Sequence, residues 1–120
     1  MSDKGMDNES QMLQIDRLLR HVWMVRTFLK HSEEAEEDDE LREVHRGLYD
    51  YMLALGGAYR AKDEQAYLKQ ARKKLSKLRR TVDLFLEIQP EISSHTNFLM
   101  AAQSLSAAVG EISELLEVDN

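Results

Sequence analysis

Apolar residues recur at three- and four-residue steps over nearly the whole chain. Met12, Ile15, Leu18, Leu19, Val22, Val25, Phe28 and Leu29 form a first series, which Trp23 and Met24 widen. Leu41, Val44, Leu48, Tyr51, Met52, Leu55 and Tyr59 form a second, and Tyr67, Ala71, Leu75, Leu78, Val82 and Phe85 a third. Phe98, Leu99, Ala102, Leu105, Val109, Ile112, Leu115 and Leu116 form the last. This is the period of an α-helix with one face turned into a core. One proline and five glycines in 120 residues leave too few turn signals for a β-sandwich or barrel. With 42 % apolar and 32 % charged residues the chain can bury a single core of ordinary domain size. The expectation is therefore all-α: an antiparallel, up-and-down four-helix bundle over 11–118, behind a flexible acidic leader at 1–10.

Helix boundaries follow from the punctuation. The four helices are expected at about 11–32, 39–61, 64–89 and 95–117. Glu33 to Glu40 reads EEAEEDDE, seven acids in eight residues, whose repulsion predicts an exposed loop or a frayed helix end. Asp38 or Asp39 suits the N-terminus of the second helix, Asp63 that of the third, and Ser94 or Thr96 that of the fourth. Gly56-Gly57 marks either a close helix approach or the approaching end of the second helix. Pro90 is expected to stop the third helix at Gln89, because the residue before a proline avoids helical angles. Ala101, Ala102, Ser104, Ser106, Ala107, Ala108 and Gly110 make the fourth helix rich in small residues. That predicts a central position or a contact between copies.

The net charge of −6 conceals three blocks. Residues 1–59 carry 7 basic and 13 acidic side chains, residues 60–82 carry 9 and 2, and residues 83–120 carry 7 acids and no base. On the third helix, Lys69, Arg72, Lys73, Lys77, Arg79 and Arg80 fall opposite the apolar stripe at about 100° per residue. They form a face about 16 Å long at ~1.5 Å per residue. No acid interrupts 65–82. Six aligned cations are a candidate nucleic-acid surface, with affinity from phosphates and no sequence preference. The other reading is a solvated face that pairs with acids on a neighbouring helix or copy, such as Glu33–Glu40.

Other chemistry finds little footing. Without cysteine there is no disulfide, thiolate metal site or cysteine nucleophile. The positions three before His21, His31, His45 and His95 hold Leu18, Phe28, Arg42 and Ile92, so the Glu-x-x-His pairing of bundle metal sites is absent. Arg26 to His31 fits the loose Arg-x4–6-His spacing of HEPN-type ribonucleases, but near the end of the first helix, where His31 also suits the helix dipole. No phosphate-binding glycine loop and no nucleophile elbow occurs. Trp23, Tyr49, Tyr51, Tyr59 and Tyr67 read as core or interface anchors rather than base-stacking platforms, because most fall within or beside the apolar stripes. No apolar run approaches the ~20 residues of a membrane span, and MSDKGMDNESQ reads as neither signal nor transit peptide. The expectation is a cytoplasmic protein with no catalytic residues, no cofactor, no metal and no membrane partner.

The segment YLKQARKKLSKLRRTVDLFLEI, a proline-containing turn, and a last helix ending AAVGEISELLEV resemble one four-helix-bundle family. It comprises the accessory variability determinant (Avd) proteins of diversity-generating retroelements and the proteins encoded in rRNA intervening sequences. The likeness covers roughly residues 15–118 and rests on helix order, Leu78-Arg79, and Val109-Gly110 followed by Ile112 and Leu115. It implies a ring-like homopentamer. It also implies a non-catalytic accessory that binds RNA or DNA and a partner reverse transcriptase during template-RNA-dependent mutagenic cDNA synthesis. Arg79, with Lys69, Arg72, Lys73, Lys77 and Arg80, matches the family's positive helix surface. Avd proteins are basic overall, whereas this chain is acidic, and a helical protein-interaction scaffold that ignores nucleic acid is the alternative.

Overall fold

The computed structural model describes residues 6–117. It is all-helical, with α1 at Asn8–Lys30, α2 at Glu33–Glu37, α3 at Asp39–Arg60, α4 at Glu64–Ile92 and α5 at Thr96–Glu117. No strand occurs among the described residues. The long helices lie side by side: α3 packs against α1 and α4, α5 packs against the same two, and α2 rests on α3. The longest extent, 48 Å, matches α4, whose 29 residues span about 44 Å.

Each stripe turns inward, and every Leu or Ile so buried contributes about 1.5–3 kcal/mol. Ile15, Val22, Leu29, Leu41, Val44, Leu48, Ala71, Phe85, Leu105 and Ile112 are wholly inaccessible. Three expected core residues are not in the core. Trp23, Met24 and Leu99 are 44 %, 66 % and 43 % exposed. They flank their stripes, and each helix turns only a limited arc toward its two neighbours.

The ends show local chemistry at work. Asp7 accepts the Ser10 N–H at 2.7 Å and starts α1 at Asn8, so 8–10 belong to the helix and not to a leader. Residues 1–5 and 118 lie outside the described residues. The acidic run is neither a loop nor a frayed end. Ser32 caps a separate turn, α2, by accepting the Ala35 N–H, and Ala35 is buried beneath it. The Asp38 carboxylate then accepts the Leu41 N–H and starts α3. The Arg42 guanidinium donates to the carbonyls of Ala35 and Glu36 and pairs with Asp39, bracing that corner. As expected, Asp63 starts α4, accepting from Ala66.

Pro90 does not end α4, which continues to Ile92. A proline costs the carbonyl four residues back its partner, here that of Leu86. Burial of Ile88 and Gln89 and half-burial of Ile92 outweigh it. Gln89 also donates Nε2 to the Ser93 carbonyl at 2.9 Å and so closes the end. α5 begins from His95, and not from Ser94 or Thr96. The His95 carbonyl accepts from Phe98 and Leu99, and Nδ1 accepts the Asn97 N–H.

The close approach between helices occurs at Gly47. A Cβ placed there would lie 2.6 Å from Thr81 Oγ1, so α3 and α4 meet with only a hydrogen on the α3 side. At Gly56 a Cβ would meet only the Arg60 guanidinium of the same helix, and at Gly57 nothing within 4 Å. Gly56-Gly57 therefore makes no close helix contact.

Candidate nucleic-acid interface

The apolar residues of α4 fix its rotation. Tyr67, Ala71, Leu75, Leu78, Val82 and Phe85 are buried, so the residues opposite them meet solvent. All six predicted cations, Lys69, Arg72, Lys73, Lys77, Arg79 and Arg80, are exposed, and α4 is unbroken beneath them. They do not form one uniform set.

Arg72 and Arg79 lean over the C-terminal end of α5. Arg72 Nε donates to the Leu116 carbonyl at 3.3 Å, and Arg79 lies 3.5 Å from the Glu117 carboxylate. A helix C-terminus carries partial negative charge on its unpaired carbonyls, so these two arginines fasten α4 to α5. Lys69, Lys73, Lys77 and Arg80 form no ion pair with any described residue, and Arg80 donates to Ser76 Oγ at 3.0 Å. Lys77 and Arg80 border a groove against α3 that also holds Glu43, Arg46, Gly47, Asp50 and Thr81. The acids of α2 and its flanks line a separate depression with Ile88, Glu91 and Ile92 of α4. The run Glu33–Glu40 therefore does not neutralise the basic row within one copy.

A second cationic region joins α1 to α3. The Arg26 guanidinium carbon sits 4.7 Å from the centroids of both the Trp23 and Tyr49 rings, which are 6.4 Å from each other. Both rings remain accessible, Trp23 at 44 % and Tyr49 at 36 %. His45 lies in the same neighbourhood. Partial burial, then the charges of Arg26, Arg46, Lys30 and Arg42, hold its pKa below the usual imidazole range. Sequence reading assigned Trp23 to the core stripe and missed this cluster. The hint available was that Trp23 and Arg26 stand three apart on α1, on one helical face.

Little else in the molecule offers chemistry. His31 caps the C-terminus of α1, while Arg26 of the ribonuclease-like spacing is engaged with the two rings. Among the described residues no group of three or more His, Asp or Glu is placed to hold a metal ion. No helix there is long and apolar enough to cross a membrane. Compared with protein-family models, curated proteins and solved structures, the chain matches none.

Proposed function

We propose that this chain is a non-catalytic accessory protein that binds nucleic acid along α4 and assists a reverse transcriptase of a diversity-generating retroelement. The observation that carries the binding is the row Lys69, Lys73, Lys77 and Arg80: four cations on one rigid rod, with no carboxylate partner among the described residues. Each phosphate contact releases condensed counterions, which supplies affinity without reading sequence. The polymerase partnership rests on the family likeness in helix order and in the α4 and α5 segments. The same likeness supports reading the four long helices as an antiparallel up-and-down bundle, with α2 an insertion between the first two.

Self-association belongs to this proposal. From Thr96 to Gly110 α5 carries no charged residue, and its exposed side presents Leu99, Met100, Ala107 and Gly110. On a chain of net charge −6, such a strip lets copies meet without like-charge repulsion. A ring of subunits is what the likeness implies for their number.

Fluorescence anisotropy with a labelled RNA or DNA at low salt tests the binding. Changing Lys73, Lys77 and Arg80 together to Glu should abolish it while circular dichroism stays helical. Unaltered affinity in that variant refutes the assignment. The scaffold reading has one observation in its favour, that Glu43 and Asp50 share the groove of Lys77 and Arg80. It predicts no binding by the wild-type protein either.

A further inference from the structure

The cationic row on α4 connects to the aromatic cluster on the other side of α3. Arg46 stands on α3 between them. It borders the groove with Lys77 and Arg80 on one flank, and it stands three residues before Tyr49 on the same helix, within reach of the same helical face. Arg26 in turn lies against Trp23 and Tyr49. At Gly47 α3 and α4 approach so closely that a Cβ there would meet Thr81.

The chemistry changes along this path. On α4 there are ammonium and guanidinium groups with no accessible aromatic ring, which suits phosphates. At α1 and α3 there are two accessible rings bridged by a guanidinium, with Met24 and Leu53 beside them in sequence register, 66 % and 62 % exposed. Such rings offer a surface for a flat apolar face. Bases of a duplex are stacked on each other and cannot reach it, whereas bases of a single strand can. An acidic peptide would satisfy the cations but would leave the rings without a flat partner.

We infer that the molecule binds single-stranded nucleic acid across α3, with phosphates on the α4 row and at Arg46, and with bases stacked at Trp23 and Tyr49. This rests on the nucleic-acid reading of α4 and adds to it a preference for single strands and a second contact surface. Acids also line this surface. Glu43 and Asp50 border it beside Lys77, Asp39 is occupied by Arg42, and Asp16 is held by Arg20 at 3.5 Å.

Trp23 is the chain's single tryptophan, so its emission reports on this surface alone. The experiment titrates the full chain with an oligothymidylate of about 12 nucleotides, with an abasic strand of equal length, and with a duplex. The base-bearing strand should quench Trp23, and the abasic strand should bind without quenching. By anisotropy, Trp23→Ala and Tyr49→Ala should each weaken single-strand binding roughly 5- to 150-fold, as loss of a stacked base does. Duplex binding should stay within about twofold, because phosphate contacts alone hold it. Tyr49→Phe, which keeps the ring, should retain wild-type affinity. Strand binding without quenching, equal losses for strand and duplex, or full affinity in both alanine variants overturns the inference while leaving the α4 reading intact. Failure of strand and duplex alike to bind the wild-type chain removes both.

Discussion

Gly47→Ala puts a number on the contact between α3 and α4. At an exposed mid-helix site this change stabilises by about 1 kcal/mol, because alanine loses less backbone freedom on folding. Here the added methyl would stand 2.6 Å from Thr81 Oγ1 and 3.0 Å from Thr81 Cγ2. Thr81 has little room to yield. Its β-branched side chain is stiff about χ1, and Oγ1 already donates to the Lys77 carbonyl at 3.1 Å. Overpacking of this kind costs about 1–3 kcal/mol, so the single variant should be destabilised by up to about 2 kcal/mol net. Thr81→Ala removes both offending atoms and leaves Cβ, 3.4 Å from the new methyl, an ordinary contact. Gly47→Ala on the Thr81→Ala background should therefore recover the helix-propensity gain. The cycle should show about 1–3 kcal/mol of coupling between the two sites. Urea denaturation of the four proteins, analysed with a shared m-value, measures it. A Gly47→Ala protein more stable than wild type, with additive effects in the double variant, refutes the close approach.

Three further outcomes follow from named groups. The Tyr67 hydroxyl is buried without a hydrogen-bond partner among the described residues, whereas the Tyr51 hydroxyl donates to the Ala71 carbonyl at 3.0 Å. Tyr67→Phe should therefore be neutral or stabilising by up to about 1 kcal/mol, and Tyr51→Phe should cost about 0.5–1.5 kcal/mol in the same urea assay. His45 is held below its ordinary value of 6.5 by burial and by Arg26, Arg46, Lys30 and Arg42. The folded chain then binds that proton more weakly than the unfolded chain. The contribution is intact above the unfolded value and is lost as pH falls through the lower folded one, so thermal melts should decline below about pH 6.5, and less in His45→Gln. For self-association, Leu99→Asp or Gly110→Glu should lower the mass seen by light scattering. A wild-type chain already at 13.9 kDa contradicts the α5 contact.

Much of the fold is legible because it depends on short-range pattern. Apolar spacing assigns Ile15, Val22 and Leu29 to a single buried face, and the acids ahead of the second and third runs narrow the caps to Asp38 or Asp39, of which Asp38 serves, and to Asp63. The features that escaped depend on partners distant in the chain. Trp23 stands about 100° from Val22, and whether it is buried depends on where α3 and α5 lie, which spacing on α1 does not encode. Gly47 outranks Gly56-Gly57 as a contact point because Thr81 of α4 stands against it, and composition alone cannot show which residue lies opposite. The cationic face of α4 follows from its own period. That Arg72 and Arg79 are drawn to the end of α5 depends on residues more than thirty positions away. Pro90 shows local preference yielding to burial of Ile88 and Gln89.

On the proposed reading, four α4 cations without an ion-pair partner among the described residues meet phosphates, and the salt dependence of binding measures this most directly. For a single strand, log K should fall against log salt with a slope of about −3 or steeper, at ~0.7 per phosphate contacted. Neutralising Lys73, Lys77 and Arg80 together to Gln should make that slope shallower by about 2. An unchanged slope in the triple variant, or a wild-type slope near zero, would contradict the account.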